Sequence, residues 1–483
     1  MKPFVSLLLL TLLPTHHYAQ WSRDPANNLI VGYGLLPEIC SDSAGGAYIT
    51  YEVSSTYPRH IALRRLNRHG YQPWGSSRAI QGVKPESRYA ALAADGRNGV
   101  FVAFLDREWN QNPKDPRYND RVRVQRVDSS GTFLWSPAGI RLSMAEHTQS
   151  ADAFPKIVED GTGGCAVLWY DTLNGIRMQR LRGDGSRAWG DSGVLVETRQ
   201  SIILHVVGNV LTGFIAYVGG GRFHRLDSNS TKLWGQNGVT LQTWSGLKVS
   251  DDRKAGVILS GTLLTTSGRN VMCQRLDSSG TARWSQNGIA LAESLTNAPE
   301  IAQIVHLDGS SVFAWTRDVG GNLKTFAQRV RTNGISVFVE RGIQVAPHSS
   351  SNGPWSLVTS SLTSTLFVLA DARFGGSVVA QRVDSVGTRV WTDSGVIASL
   401  RHLGNVRNTT DKNGGAIVIG FDQSDFSVRG QQINVNGTLG EVTTSVHQVA
   451  QTPIQDFEVI QTYPNPFNNS TEDVPNAVEK NLS

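Results

Sequence analysis

The sequence predicts an all-β chain: a β-propeller of about eight four-stranded blades, closed by an N-terminal strand, with a short disordered tail. Three observations predict it. A Gln-Arg-hydrophobic-Asp run recurs about every fifty residues, with its arginine at positions 65, 126, 180, 225, 275, 329 and 382 and Gln432 in the eighth place. No segment carries an apolar period of 3.6 residues, whereas short alternating segments bounded by Asp, Gly, Ser and Asn are everywhere. The eighth unit lacks its last segment, and the N-terminal region offers one. Four antiparallel strands per repeat of this length make a propeller blade.

Each unit reads the same way. The first segment ends in an acidic turn, as in Pro155-Lys-Ile-Val-Glu-Asp160-Gly-Thr-Gly-Gly164. The second is apolar, as in Ala166 to Tyr170, and is closed by an acid at Glu52, Asp106, Asp171, Asp318, Asp371 or Asp422. Gly219 and Ser260 replace that acid in units four and five. The third segment is the Gln-Arg run, whose arginine is expected to pair with the acid closing the second. The fourth begins at a tryptophan (Trp135, Trp189, Trp234, Trp284, Trp391), expected to pack between blades. Unit eight stops at Gln432 and the Asn436-Gly437 turn. Trp21 and Asn28 to Val31 supply the missing strand, which removes two exposed sheet edges. Asp95, Asp160 and Asp308 head Asp-Gly turns. Tight turns require those residue types anyway, and calcium binding is the functional alternative. No other cofactor is expected.

Composition bounds the function. The 483 residues carry 45 basic and 40 acidic side chains, a net of +5. The basic residues follow the repeat and do not gather in a patch, so no nucleic-acid partner is expected. The N-terminus has Lys2, an apolar run from Phe4 to Leu13 and Pro14, which reads as a secretory signal cut near Ala19 or Gln20. No later stretch is long and apolar enough to cross a bilayer as a helix. Cys40, Cys165 and Cys273 are odd in number and widely spaced, so they read as small buried hydrophobes. The expected organisation is a signal peptide (1–20), propeller repeats (21–445), a linker (446–460) and a C-terminal sorting remnant (461–483), with the chain a monomer.

The Asp-Gly-x-Gly-Gly turn, the apolar strand ending in Asp, and the Gln-Arg-Val-Asp-Ser-x-Gly-x-x-x-Trp run together resemble repeats of secreted propeller-like proteins of Bacteroidetes. The turn after the third segment is similar to the Asp-box of sialidase-type propellers, although Asp128 to Gly131 and Gly131 to Trp135 are each one residue longer. Thr462-Tyr-Pro-Asn-Pro-Phe-Asn-Asn-Ser-Thr471 resembles the opening of the type IX secretion sorting domain. That resemblance implies export to the medium or the cell surface. The chain ends at Ser483, well short of a whole sorting domain, and an inactive signal would leave the protein in the periplasm.

No nucleophile elbow, zinc-binding HExxH, P-loop or dinucleotide fingerprint is present. A binding or scaffold module for a glycan or protein is therefore expected, with a glycan-active hydrolase or lyase as the alternative. The candidate site lies on the propeller face that carries the loops between second and third strands and those between blades. Trp109, Arg117 and Tyr118 come from the longest insertion there, and Trp244 and Trp355 from inter-blade loops. Exposed aromatics beside arginine are the chemistry for stacking and hydrogen-bonding a sugar or gripping a protein loop.

Overall fold

The computed structural model describes residues 21–440 except 54–57, 110–117, 144–146, 149–153, 172–174, 199–203, 347–353, 360–363 and 372–375. The expected signal peptide, linker and sorting remnant, and Arg117, lie outside the described residues.

Eight antiparallel sheets follow one another along the chain. We number the blades by their first strands: Leu35–Ser41, Glu86–Ala94, Lys156–Glu159, His205–Asn209, Ser245–Asp251, Ile301–Val305, Pro354–Thr359 and Leu403–Thr410. Seven sheets have four strands, and blade 2 splits its fourth position between Ile140–Arg141 and His147–Thr148. Each first strand touches that of the next blade, and blade 8 touches blade 1, so the inner ring closes. Among the described residues there is no helix.

The second strands show why the ring holds. Each is the middle of its sheet, with a blade on either side, so it is apolar on both faces. In Val100–Trp109, Val100, Val102 and Phe104 pack with Tyr48 and Leu63 of blade 1. The alternate Phe101, Ala103 and Leu105 pack with Val167 and Trp169 of blade 3. Eight such clusters fill the eight interfaces between blades.

Closure is as expected. Leu29–Tyr33 pairs with the third strand of blade 8, Ser427–Ile433, in the sheet position that a fourth strand takes elsewhere. The mimicry extends to side chains. The repeat's glutamine donates to the carbonyl one residue beyond the tryptophan: Gln125 to Ser136, Gln179 to Gly190 and Gln274 to Ser285. In blade 8, Gln431 donates to Ser22, the residue beyond Trp21, at 2.7 Å.

Two details of the repeat differ from expectation. The tryptophan precedes the fourth strand and is not part of it. After the third strand the chain folds back in a short bridge, such as Val127 to Phe133, and a second turn closed by Gly139 N–H to Ser136 O intervenes before Ile140. The arginine pairs with the acid of the first turn, not with the one closing strand two. Antiparallel pairing sets Arg126 opposite Phe101, a strand's length from Asp106, which faces Arg121. Arg126 instead reaches Asp95 at 2.8 Å. Arg65–Asp42, Arg180–Asp160 and Arg275–Asp252 repeat that geometry at 2.8–2.9 Å. Ser260 therefore leaves no gap in blade 5. In blade 4, where Asn209 replaces the aspartate, Arg225 donates to the Thr212 carbonyl at 2.6 Å.

Arginine and tryptophan then converge on the next blade. Arg126 Nη1 and Trp135 Nε1 both donate to the Gly183 carbonyl of blade 3, at 2.8 and 3.3 Å. Arg65 with Trp74, Arg225 with Trp234, and Arg275 with Trp284 do the same at Ser129, Ser278 and Thr332. The recurrent tryptophan is thus an inter-blade clamp.

Candidate functional site

The repeated acids are occupied by the fold. Asp95 Oδ1 accepts from the Gly99 amide at 2.6 Å and Oδ2 from Arg126. A Cβ on Gly99 would sit 2.6 Å from that Oδ2, so the motif needs glycine there. Asp160 accepts from Gly164 and Arg180, and Asp308 from Ser310 and Arg329. Among the described residues no group of three or more His, Cys, Asp or Glu is placed to hold a metal ion. The acids that close second strands fasten the crossovers: Asp106 accepts the Lys84 amide at 2.7 Å, and Glu52 accepts Arg88 Nε and the Tyr89 amide at 2.8 Å. Cys165 and Cys273 are fully buried, which pushes both thiols well above their usual range, and Cys40 is half-buried.

Antiparallel order puts the start of every first strand and the turn between second and third strands on one face of the disc. On that face blade 2 stands apart. Its second and third strands, Val100–Trp109 and Tyr118–Val127, run ten residues each, and Trp109 is paired with Tyr118 at their tip. Just below its tip this hairpin is braced by a buried ion pair. Arg107 contacts both carboxylate oxygens of Asp120 at 2.7 and 2.6 Å, and its guanidinium lies over the Tyr89 ring. Those hydrogen bonds and the Asp120 charge hold Arg107 above its usual value against the cost of burial. Arg123 to Asp106, at 2.6 Å, adds a second buried pair.

The other expected residues divide. Trp355 lies at an irregularity of blade 7's first strand, between Pro354 and Ser356, and shares the hairpin's face. Trp244 does not offer a surface: it is 6% exposed, packed among Tyr217, Phe223, Val257 and Met272 where blades 4 and 5 meet. Its spacing ahead of a first strand suggested an open loop, but the small Gly261 and Gly288 beneath it let the ring drop into the interface.

Sequence reasoning missed the axis. In every blade the fourth residue before the first-turn aspartate, or its equivalent, occupies the same register on the innermost strand. These residues are Glu38, Ala91, Lys156, His205, Lys248, Ala302, Ser356 and Arg407, each opposite the same position of its second strand. One layer therefore gathers three cations, a histidine and one acid from five blades. Arg407 and Glu38 meet at 3.3 Å. Burial, with Lys156 and Lys248 adding, draws His205 down to about 4, so the imidazole is neutral near pH 7. Burial also lowers Lys156, opposed by Glu38 and assisted by Arg407. Aligning the eight first turns with one another would have revealed the layer.

No protein-family profile matches the chain. No curated protein matches it either. Among solved structures it is similar to a eukaryotic initiation factor, at 10% identity over 82% of this chain and 94% of that one, with a TM-score of 0.41. It is also similar to the polysaccharide lyase Uly1, at 10% identity over 88% and 94%, with a TM-score of 0.44. A puromycin hydrolase matches at 11% identity over 87% of this chain and 55% of that one, with a TM-score of 0.41. None of these likenesses carries an activity over to this chain.

Proposed function

We propose that the protein is a secreted or cell-surface binding and scaffold module that presents one propeller face to a glycan or protein ligand. The observation that carries this reading is the blade 2 hairpin, locked just below its tip by the Arg107–Asp120 pair. A buried, bidentate pair fixes geometry better than it adds stability, which suits an element that must meet a partner in one pose. The N-terminal leader and the Tyr-Pro-Asn-Pro motif supply the reason for placing it outside the cell. A glycan array probed with the exported chain, with and without EDTA, tests the reading. A hit abolished by Trp109→Ala or Trp355→Ala is the expected result. Loss in EDTA alone would show that binding needs a divalent cation. A blank array together with no protein captured on the same face leaves a structural role.

One observation favours the alternative of a glycan-active lyase or hydrolase. His205 is neutral and flanked by Lys156 and Lys248, the pairing of a base with cations that could neutralise a sugar carboxylate. Release of an unsaturated or reducing sugar from acidic polysaccharides, lost in His205→Gln, would establish turnover.

A further inference from the structure

We propose that the axial layer of Lys156, His205, Lys248 and Arg407 is a binding site for an oxyanion, either a carboxylate or sulfate group carried by a polymer or a free inorganic anion. The first argument is register. Four inner strands, from blades 3, 4, 5 and 8, carry a basic residue at one level of the inner ring. Nothing in the repeat requires this, because blades 2 and 6 have alanine at the same place.

The second argument is pairing. Elsewhere five of the recurring arginines are matched to first-turn aspartates at 2.7–2.9 Å. Here Glu38 is already held by Arg407 through three contacts at 3.3 Å. Lys156 and Lys248 make no hydrogen bond or ion pair with any described residue. Like charges gathered at one partly desolvated level repel, and an anion between them removes that repulsion.

The third argument is proximity. Lys156 and Lys248 both add to the lowering of His205, so the basic groups of blades 3, 4 and 5 lie within electrostatic reach of one another.

The site stands apart from the hairpin reading: sulfate binding without a glycan-array hit supports the layer alone, and the converse supports the hairpin alone. The test titrates the full chain at low salt with sodium sulfate and, separately, with trigalacturonate, using maltotriose as the neutral control. Wild type is expected to bind at least one anion and not maltotriose. The Lys156→Gln/Lys248→Gln double variant is expected to lose roughly tenfold or more in affinity, as removal of charge-assisted contacts implies. Much tighter binding of trigalacturonate assigns the site to a polymer-borne group, and equal binding assigns it to the free ion. A measurement without variants guards against misfolding: the His205 imidazole, followed by NMR, should titrate about one unit higher when saturated with anion. No binding of either anion, unchanged affinity in a folded double variant, or an unmoved His205 titration would overturn the proposal.

Discussion

The Trp21 indole N–H donates to the Arg68 carbonyl at 2.9 Å, and so joins the N-terminal segment to the turn of blade 1. This is the clamp that Trp135 makes to Gly183, or Trp284 to Thr332, made by a residue from the other end of the chain. Trp21 is 3% exposed and lies in the cluster between blades 8 and 1. Trp21→Phe keeps most of the ring and deletes the donor, so it should cost about 1 kcal/mol. Trp21→Ala should cost about 3–5 kcal/mol. Removal of residues 21–33 should also bare the edge of Ser427–Ile433 and cause aggregation. Thermal unfolding with light scattering checks all three, and unchanged melting after the deletion would refute closure by this strand.

Arg126 and Arg225 hold equivalent positions with different partners. Arg126 meets Asp95 and Gly183 O, whereas Arg225 has only the carbonyls of Thr212 and Ser278. Arg126→Ala strands a buried carboxylate and should cost about 3–5 kcal/mol. Arg225→Ala removes hydrogen bonds to neutral acceptors and should cost about 1–3 kcal/mol. Urea unfolding of the two variants side by side measures the difference, which should vanish when Asp95→Asn is added to Arg126→Ala.

The contrast shows what the sequence could and could not convey. Blade number and closure were legible because eight copies of one pattern fix a period, and because Trp21 and Asn28 complete the unit that ends at Gln432. Asn28 indeed reaches Gln431 Oε1 at 2.9 Å. The partner of each arginine was not legible: several acids per unit are chemically equal, and only strand pairing shows that Asp95 and not Asp106 lies within reach. Trp244 misled because an aromatic before a first strand looks exposed until Gly261 and Gly288 are seen to make room for it. The axial layer was hidden for the opposite reason. Its residues differ from blade to blade, so a search for repetition passes over Lys156, His205 and Arg407.

The hairpin of blade 2 yields the next prediction. Arg107 and Asp120 are 3% and 0% exposed, and their contact at 2.6 Å ties the second strand to the third just below Trp109 and Tyr118. Arg107→Met should leave the Asp120 carboxylate unpaired and fray the tip before it unfolds the ring, because each interface has its own core. Tryptic cleavage at Lys114 or Arg117, which lie in the intervening segment, should therefore accelerate several-fold while the main unfolding transition persists. Equal cleavage rates in wild type and variant would show that the pair does not set the hairpin's order.

His205 gives the chain a pH signature whose sign follows from its neighbours. Its ring lies 6.0 Å from that of Tyr217, and Lys156 and Lys248, from the blades on either side, act on it electrostatically. Burial and those two cations lower its value from 6.5 to about 4, so the folded state resists a proton that the unfolded chain accepts. The stabilisation is complete above the unfolded value, declines as the pH falls from about 6.5, and levels off below about 4. Over that window the full shift corresponds to about 3 kcal/mol at most. His205→Phe cannot take up the proton in either state, so its stability should fall less between about pH 7 and about pH 4.5 than that of wild type. Urea midpoints of the two proteins at both pH values isolate the effect from the carboxylates, which are common to both. Bound sulfate should shrink the wild-type decline, because an anion beside Lys156 and Lys248 makes the imidazolium easier to form. Parallel profiles for wild type and His205→Phe would mean that the imidazole titrates as it does in an unfolded chain, and that the two lysines do not act on it.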